Sequence, residues 1–375
     1  MTPPRLLLAA LAASLFLASC GDGDGESGDD ATPSDPSERG SLAVGVGTAS
    51  ITDPSRDRAL AVEVWYPASE AGATSPVIDF AVDAGQRDVL APLLDEAPPD
   101  CVATTTDATR DAAPAAGEYP VVIYSHCYTC TRWSAHAVME YLASHGFVVV
   151  APEHTGDTLF ELQADSAPPL DSALLAVRVA DVRFVLDRVL DPEGTLLPEG
   201  IAVDPDRVGM LGHSLGSVTS GAVAQEDDRI AAAAGLAAPM DNPLIPGVSI
   251  GAIEVPLAFL VATEDNSVGE AGNIVTRNNF AVANPPVYKL EVVDAGHWSV
   301  TNIAGLDEAF DPGCGTGLRQ QTEEPFDYIA VDRANALTAT FVTAFFSAHL
   351  NQADSGFAQL SPDAWSADVM FDARD

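Results

Sequence analysis

The segment Gly212-His213-Ser214-Leu215-Gly216 carries the clearest chemical signal in this chain. It follows an apolar run at residues 208–211 and precedes a helix-like run at residues 215–224, the strand–turn–helix setting of a nucleophile elbow. Such a turn is tight, and side chains flanking the serine would block it, so glycine belongs at both outer positions. The turn lifts the serine Oγ above the sheet, with a helix N-terminus behind it where developing negative charge is favoured. A serine hydroxyl is a weak nucleophile and needs a base, which an acid must orient. Two histidines follow Ser214. His349 sits in a helix near the C-terminus among polar residues and reads as a surface side chain. His297 sits in Asp294-Ala295-Gly296-His297-Trp298, just past an apolar strand, and is the base by elimination and position. The acid is expected at Asp265, in Thr263-Glu264-Asp265-Asn266-Ser267 after the strand at residues 256–262. Glu264 beside it and Asp241 after the preceding strand are the alternatives. The implied chemistry is acyl transfer. His297 takes the proton as Ser214 attacks an ester carbonyl, the Leu215 N–H receives the oxyanion, and water frees the acyl-enzyme. Trp298 and Tyr128 are candidate substrate-binding walls of an acyl pocket.

The elements that must hold these residues are legible as alternating strands and helices. Residues 41–51 and 59–66 read as two strands joined by a turn at Asp53-Pro54, and residues 67–118, rich in Pro, Ala and Asp, as a long excursion. Val121-Val122-Ile123-Tyr124 is a short buried strand, residues 132–144 a helix closed by His145-Gly146, and residues 147–151 the next strand. Residues 171–190 form the clearest helix: Leu175, Val179, Val182, Leu186 and Val189 share a face, and Asp171 caps the start. Strands follow at residues 208–211, 230–238, 256–262 and 287–293, with a closing helix at residues 337–350. The pattern predicts an α/β protein with a mostly parallel central sheet and helices on both faces.

Composition narrows the function classes. The formal net charge is −38, with 55 Asp and Glu against 17 Lys and Arg, a surface that repels nucleic acid. Lys289 is the only lysine. Arg5 followed by the apolar run at residues 6–17 reads as a secretory signal peptide over residues 1–19, too short for a membrane span. Residues 20–40, rich in Gly, Asp, Ser and Pro, read as a disordered tether. Residues 41–350 form the expected catalytic domain and residues 351–375 a C-terminal tail. Cys101, Cys127, Cys130 and Cys314 are expected in disulfides, given export to an oxidising compartment, with the pairing open. Cys127-x-x-Cys130 lacks a second such pair, so a zinc site is not expected. No metal or cofactor is implied. The sequence leaves the oligomeric state open.

These residues together resemble the α/β-hydrolase superfamily, and within it the dienelactone-hydrolase and platelet-activating-factor-acetylhydrolase-like esterases, with polyester hydrolases as near relatives. The resemblance spans residues 41–350 and includes Val62-Glu63-Val64-Trp65-Tyr66-Pro67, Tyr124-Ser125-His126 and Asp204-Pro205-Asp206-Arg207-Val208. It implies the α/β-hydrolase fold and a Ser214, Asp265, His297 triad. Gly235-Leu236-Ala237-Ala238-Pro239 has no acid where some acetylhydrolase relatives carry theirs, which favours Asp265. By family position the Tyr128 N–H is the second oxyanion donor. The family usually reads Ser-His-Gly where this chain reads Ser125-His126-Cys127, and cysteine adopts glycine's positive-φ conformations only at a cost. A disulfide from Cys127 or Cys130 is a way to hold the loop. Leu17-Ala18-Ser19-Cys20 resembles a lipoprotein lipobox, which implies acylation of Cys20 and membrane anchorage at the cell envelope; secretion as a soluble protein is the alternative. The expected activity is a serine carboxylic-ester hydrolase on small-molecule or lipid esters with short-to-medium acyl groups. The alternatives are a lipase or polyester hydrolase on long or polymeric esters, and a non-catalytic binding lipoprotein on a hydrolase scaffold.

Overall fold

A computed structural model describes Met1 and residues 35–375. The expected signal peptide (apart from Met1), Cys20 and the first part of the tether lie outside the described residues. The described chain runs β1 (Ala43–Asp53), β2 (Arg58–Ala68), α1 (Ala84–Glu96), β3 (Thr109–Arg110), β4 (Gly117–Ser125), α2 (His136–Ser144), β5 (Val148–Pro152), α3 (Leu159–Gln163) and α4 (Ser172–Val189). It continues through β6 (Ile201–His213), α5 (Leu215–Glu226), β7 (Ile230–Leu236), β8 (Leu257–Ala262), α6 (Gly269–Val282) and β9 (Val287–Val292). The last elements are β10 (Thr316–Leu318), β11 (Pro325–Asp327), α7 (Val331–Leu350), α8 (Asp354–Gln359) and β12 (Val369–Arg374).

Among the described residues a ten-stranded sheet has the order β12-β9-β8-β7-β6-β4-β5-β2-β1-β3. The six strands from β9 to β5 are mutually parallel. β12, β2 and β1 are antiparallel additions at the two edges. β5, β8 and β9 are buried at every residue, as strands covered on both faces must be. Alternation splits the core in two. Val121, Ile123, Val148, Val150 and Met210 pack with α4 and α5, while Val122, Tyr124, Val149, Ala151 and Leu211 pack with α2 and α7. α4 begins where expected: the Asp171 carboxylate accepts from the Ala173 and Leu174 N–H groups at 2.9 and 3.0 Å.

Three departures from the sequence expectation have physical causes. α2 starts at His136, not at residue 132, because Arg132 is drawn inward onto Glu63, Glu153 and the Phe80 carbonyl. The helix start is set instead by the Asn302 side chain, which accepts from the Ala137 N–H at 3.0 Å. The segment after residue 350, read as a tail, supplies α8 and the edge strand β12, paired with β9 from Val369 against Val292 to Arg374 against Val287. His349 is not a surface side chain: it is partly buried among Phe345, Phe357 and Tyr288, whose hydroxyl lies 3.2 Å from Nε2.

Candidate active site

The chain leaves β4 to form β5 on one side and then returns to form β6 on the other. This reversal opens a crevice at the carboxyl ends of β4 and β6, the place where open parallel sheets bind ligands. Ser125 closes β4 directly beside Gly212 of β6, so the loop after β4 and the turn after β6 meet there.

Ser214 sits in that turn with φ 55° and ψ −117°, a conformation a side-chain-bearing residue adopts only under strain. Its N–H donates to the Leu236 carbonyl at 2.9 Å, and its carbonyl accepts from the Ser217 N–H at 2.8 Å. Leu215 opens α5, so its N–H belongs to the first turn, which has no intrahelical acceptor. Both glycines are dictated by backbone crowding. A Cβ on Gly212 would overlap the Gly216 carbonyl, and one on Gly216 would overlap the Ser125 carbonyl and lie 3.0 Å from that of His126. α5 is therefore seated against the end of β4 and the start of the loop that follows it.

The structure brings His297 and Asp265 together. The His297 Nδ1–H donates to Asp265 Oδ2 at 2.7 Å, leaving Nε2 as the acceptor nitrogen. Asp265 Oδ1 accepts from the Ser267 and Val268 N–H groups, both at 2.9 Å, which fixes the carboxylate. The two alternative acids are engaged elsewhere. Glu264 accepts from Arg319 and the Gln320 N–H, and Asp241 accepts from the Ile250 N–H. His213 ties His297 to the elbow: its Nε2–H donates to the His297 carbonyl at 3.0 Å, and the two rings lie 4.8 Å apart, tilted by 46°. Burial, then the nearby His297, drives the His213 imidazole well below its ordinary pKa, so it acts as a neutral donor. Trp298 is almost buried and stands edge-on to His297 at 4.8 Å, backed by Phe310. Its ring also meets His213 edge-on at 5.5 Å.

The loop after β4 is closed by a Cys127–Cys130 disulfide, and Cys101–Cys314 joins the two long excursions. The residue in the left-handed region is Thr129 at φ 56°, not Cys127. The expected conflict between a cysteine side chain and a glycine conformation therefore does not arise at Cys127. Tyr128 is half-buried, and its hydroxyl donates to the Pro168 carbonyl at 2.5 Å. Beneath the loop lies a second Ser–His–Asp set. Ser125 Oγ is 2.9 Å from His154 Nε2, and His154 Nδ1 is 3.1 Å from Asp181, which also pairs with Arg56 and Arg58. Its three members are fully buried, so no substrate reaches this serine. Burial holds His154 neutral by pushing its pKa down to about 4.

Residues 109–237 match the chlorophyllase family, and residues 34–160 match the family of platelet-activating factor acetylhydrolase, isoform II. The first span contains Ser214, and both contain the loop after β4. The chain has the α/β-hydrolase fold, and the two family matches support a carboxylic ester hydrolase. The fold is shared with a ferulic acid esterase from Streptomyces cinnamoneus, 24% identical, with a TM-score of 0.66 over 88% of this chain and 96% of that one. No curated protein matches the sequence.

What the sequence reading of this esterase missed is the polar scaffold under the loop: Arg178, Asp157, His126, His154 and Asp181. One signal was present. Arg178 lies three residues after Leu175 and four before Val182, inside the apolar stripe of α4, where a charged residue needs a buried partner.

Proposed function

We propose that this esterase acts as a serine carboxylic-ester hydrolase through Ser214, His297 and Asp265, with the Leu215 and Tyr128 N–H groups as oxyanion donors and short-to-medium acyl esters as substrates. The observation that carries the reading is the strained Ser214 elbow linked through His213 to a His297 already oriented by Asp265. In this reading His297 Nε2 takes the Ser214 proton as Oγ attacks the carbonyl carbon. The imidazolium that results is stabilised by Asp265 and returns the proton to the departing alcohol. Water, deprotonated by the same nitrogen, then attacks the acyl carbon and releases Ser214.

A fluorophosphonate probe tests the nucleophile: it labels the folded protein at Ser214, and Ser214→Ala abolishes both labelling and hydrolysis. A folded protein that resists the probe supports the reading as a non-catalytic binding lipoprotein. Nitrophenyl acetate, butyrate, octanoate and palmitate, with methyl ferulate beside them, test the acyl preference. Hydrolysis confined to palmitate supports the lipase alternative. Ferulate as the best substrate aligns the chain with the activity named for its structural neighbour.

Export and lipidation at Cys20 belong to the same proposal. Two disulfides among the described residues support an oxidising compartment. Globomycin-sensitive processing of the precursor tests the lipid anchor.

A further inference from the structure

We infer that Arg178 is a positioning residue of the oxyanion hole, holding the Cys127–Tyr128 peptide in the one orientation that turns the Tyr128 N–H toward the carbonyl attacked by Ser214. The inference rests on the proposed role of Tyr128 and goes beyond it by naming what orients that donor. A trans peptide is planar, so its C=O and N–H point in opposite directions. Whatever fixes the Cys127 carbonyl therefore fixes the Tyr128 N–H. Arg178 Nη2 donates to the Cys127 carbonyl at 2.8 Å, and Nη1 donates to the His126 carbonyl at 2.5 Å. One planar fork thus grips two successive carbonyls from the side of α4.

The fork is itself held. Asp157 Oδ2 accepts from Arg178 Nε at 2.8 Å, and its Oδ1 accepts from the Thr129 N–H at 2.9 Å, so one carboxylate spans both the guanidinium and the loop. The His126 Nε2 accepts from the His154 N–H at 3.0 Å, which leaves its Nδ1–H to donate to the same Cys127 carbonyl at 2.7 Å. Arg178 and His126 are fully buried. Flipping the peptide would strand a buried guanidinium and a buried imidazole without their shared acceptor, a costly state. The disulfide limits how far the loop strays, and the Cys130 N–H adds one long hydrogen bond to the Cys127 carbonyl at 3.3 Å. The fork supplies the shorter, charged bond to that carbonyl at 2.8 Å.

The test uses the full-length protein with Arg178→Met and Asp157→Asn, each checked for folding by near-ultraviolet circular dichroism. Removing a single oxyanion donor typically lowers kcat about 100- to 1000-fold. Arg178→Met should approach that loss on nitrophenyl acetate with KM unchanged within about threefold. Asp157→Asn keeps the arginine but loosens its aim and should lose less. The decisive readout is the rate ratio between an ester and its thionoester. Sulfur is a larger and weaker hydrogen-bond acceptor, so a formed hole disfavours the thionoester, and the ratio should fall in both variants. Unchanged kcat and an unchanged ratio in a folded variant would overturn the role of Arg178. A fully active Ser214→Ala would instead overturn the underlying triad, independently of Arg178.

Discussion

At the scale of single residues, the site depends on fixed proton positions. Asp265 accepts from two backbone N–H groups through one oxygen and from His297 through the other. Asp265→Asn preserves size but offers His297 an amide, which favours the imidazole tautomer with its proton on the wrong nitrogen. The expected result is a kcat loss of about 10⁴-fold with little change in unfolding midpoint, read by steady-state kinetics and urea titration. A kcat within about tenfold of the parent would remove Asp265 from the proposed triad. Ser214, His297 and Asp265 could be proposed from sequence because each sits in a short segment whose turn residues and flanking apolar runs set its position. Arg178 could not be read in the same way. Its acceptors are backbone carbonyls some fifty residues away, and backbone carbonyls leave no mark on residue type. His349 was misread because its polar chain neighbours say nothing of the Tyr288 and Phe345 rings that enclose it.

At the scale of elements, the elbow works because α5 and the loop after β4 approach until their backbones touch. Gly216 is the contact point: any Cβ there must displace either the Ser125 carbonyl or the first turn of α5. Gly216→Ala should therefore destabilise the fold by roughly 1–3 kcal/mol. It should also separate the two oxyanion donors, so the loss of kcat should exceed any loss of folded protein. Urea midpoints and active-site titration measured side by side check both parts, and a variant with parental kcat per labelled serine would contradict the seating described. The parallel strands and α4 were legible because apolar runs and a 3.6-residue stripe reflect burial directly. β12 was not. It is a short edge strand in which only Val369 is buried and Met370 is exposed, so it lacks a clear periodic signal, and it exists only because β9 offers it a ladder. The start of α2 failed for a related reason, since the cap at Ala137 comes from Asn302, far along the chain.

At the scale of the whole molecule, the polar scaffold beneath the site sets how stability depends on pH. His126, His154 and His213 are buried and neutral. Burial is the main cause in each case, with Arg178 opposing protonation of the first two and His297 that of the third. In the unfolded chain each imidazole takes up a proton near pH 6.5. In the folded protein His154 resists until about pH 4, and the other two lie well below the ordinary value. Between those limits the unfolded state binds more protons, so stability falls as pH falls from 6.5 toward 4, by up to about 1.4 kcal/mol per pH unit for each histidine. Glu63 works the other way, because burial raises its carboxyl and acid favours its folded, neutral form. Relief of self-repulsion from the −38 charge also opposes the histidines, but it begins only where carboxylates protonate, near pH 4. Asp53, held down to about 2 by the Ser55 hydroxyl and then by Arg56, loses its contribution lower still. The histidines therefore dominate the window between pH 6.5 and about 4.5. Urea midpoints of the Ser214→Ala protein at fixed salt should fall steadily from pH 7 to 4.5, and a midpoint that stays level or rises across that range would mean that the imidazoles under the loop are not neutral in the folded state.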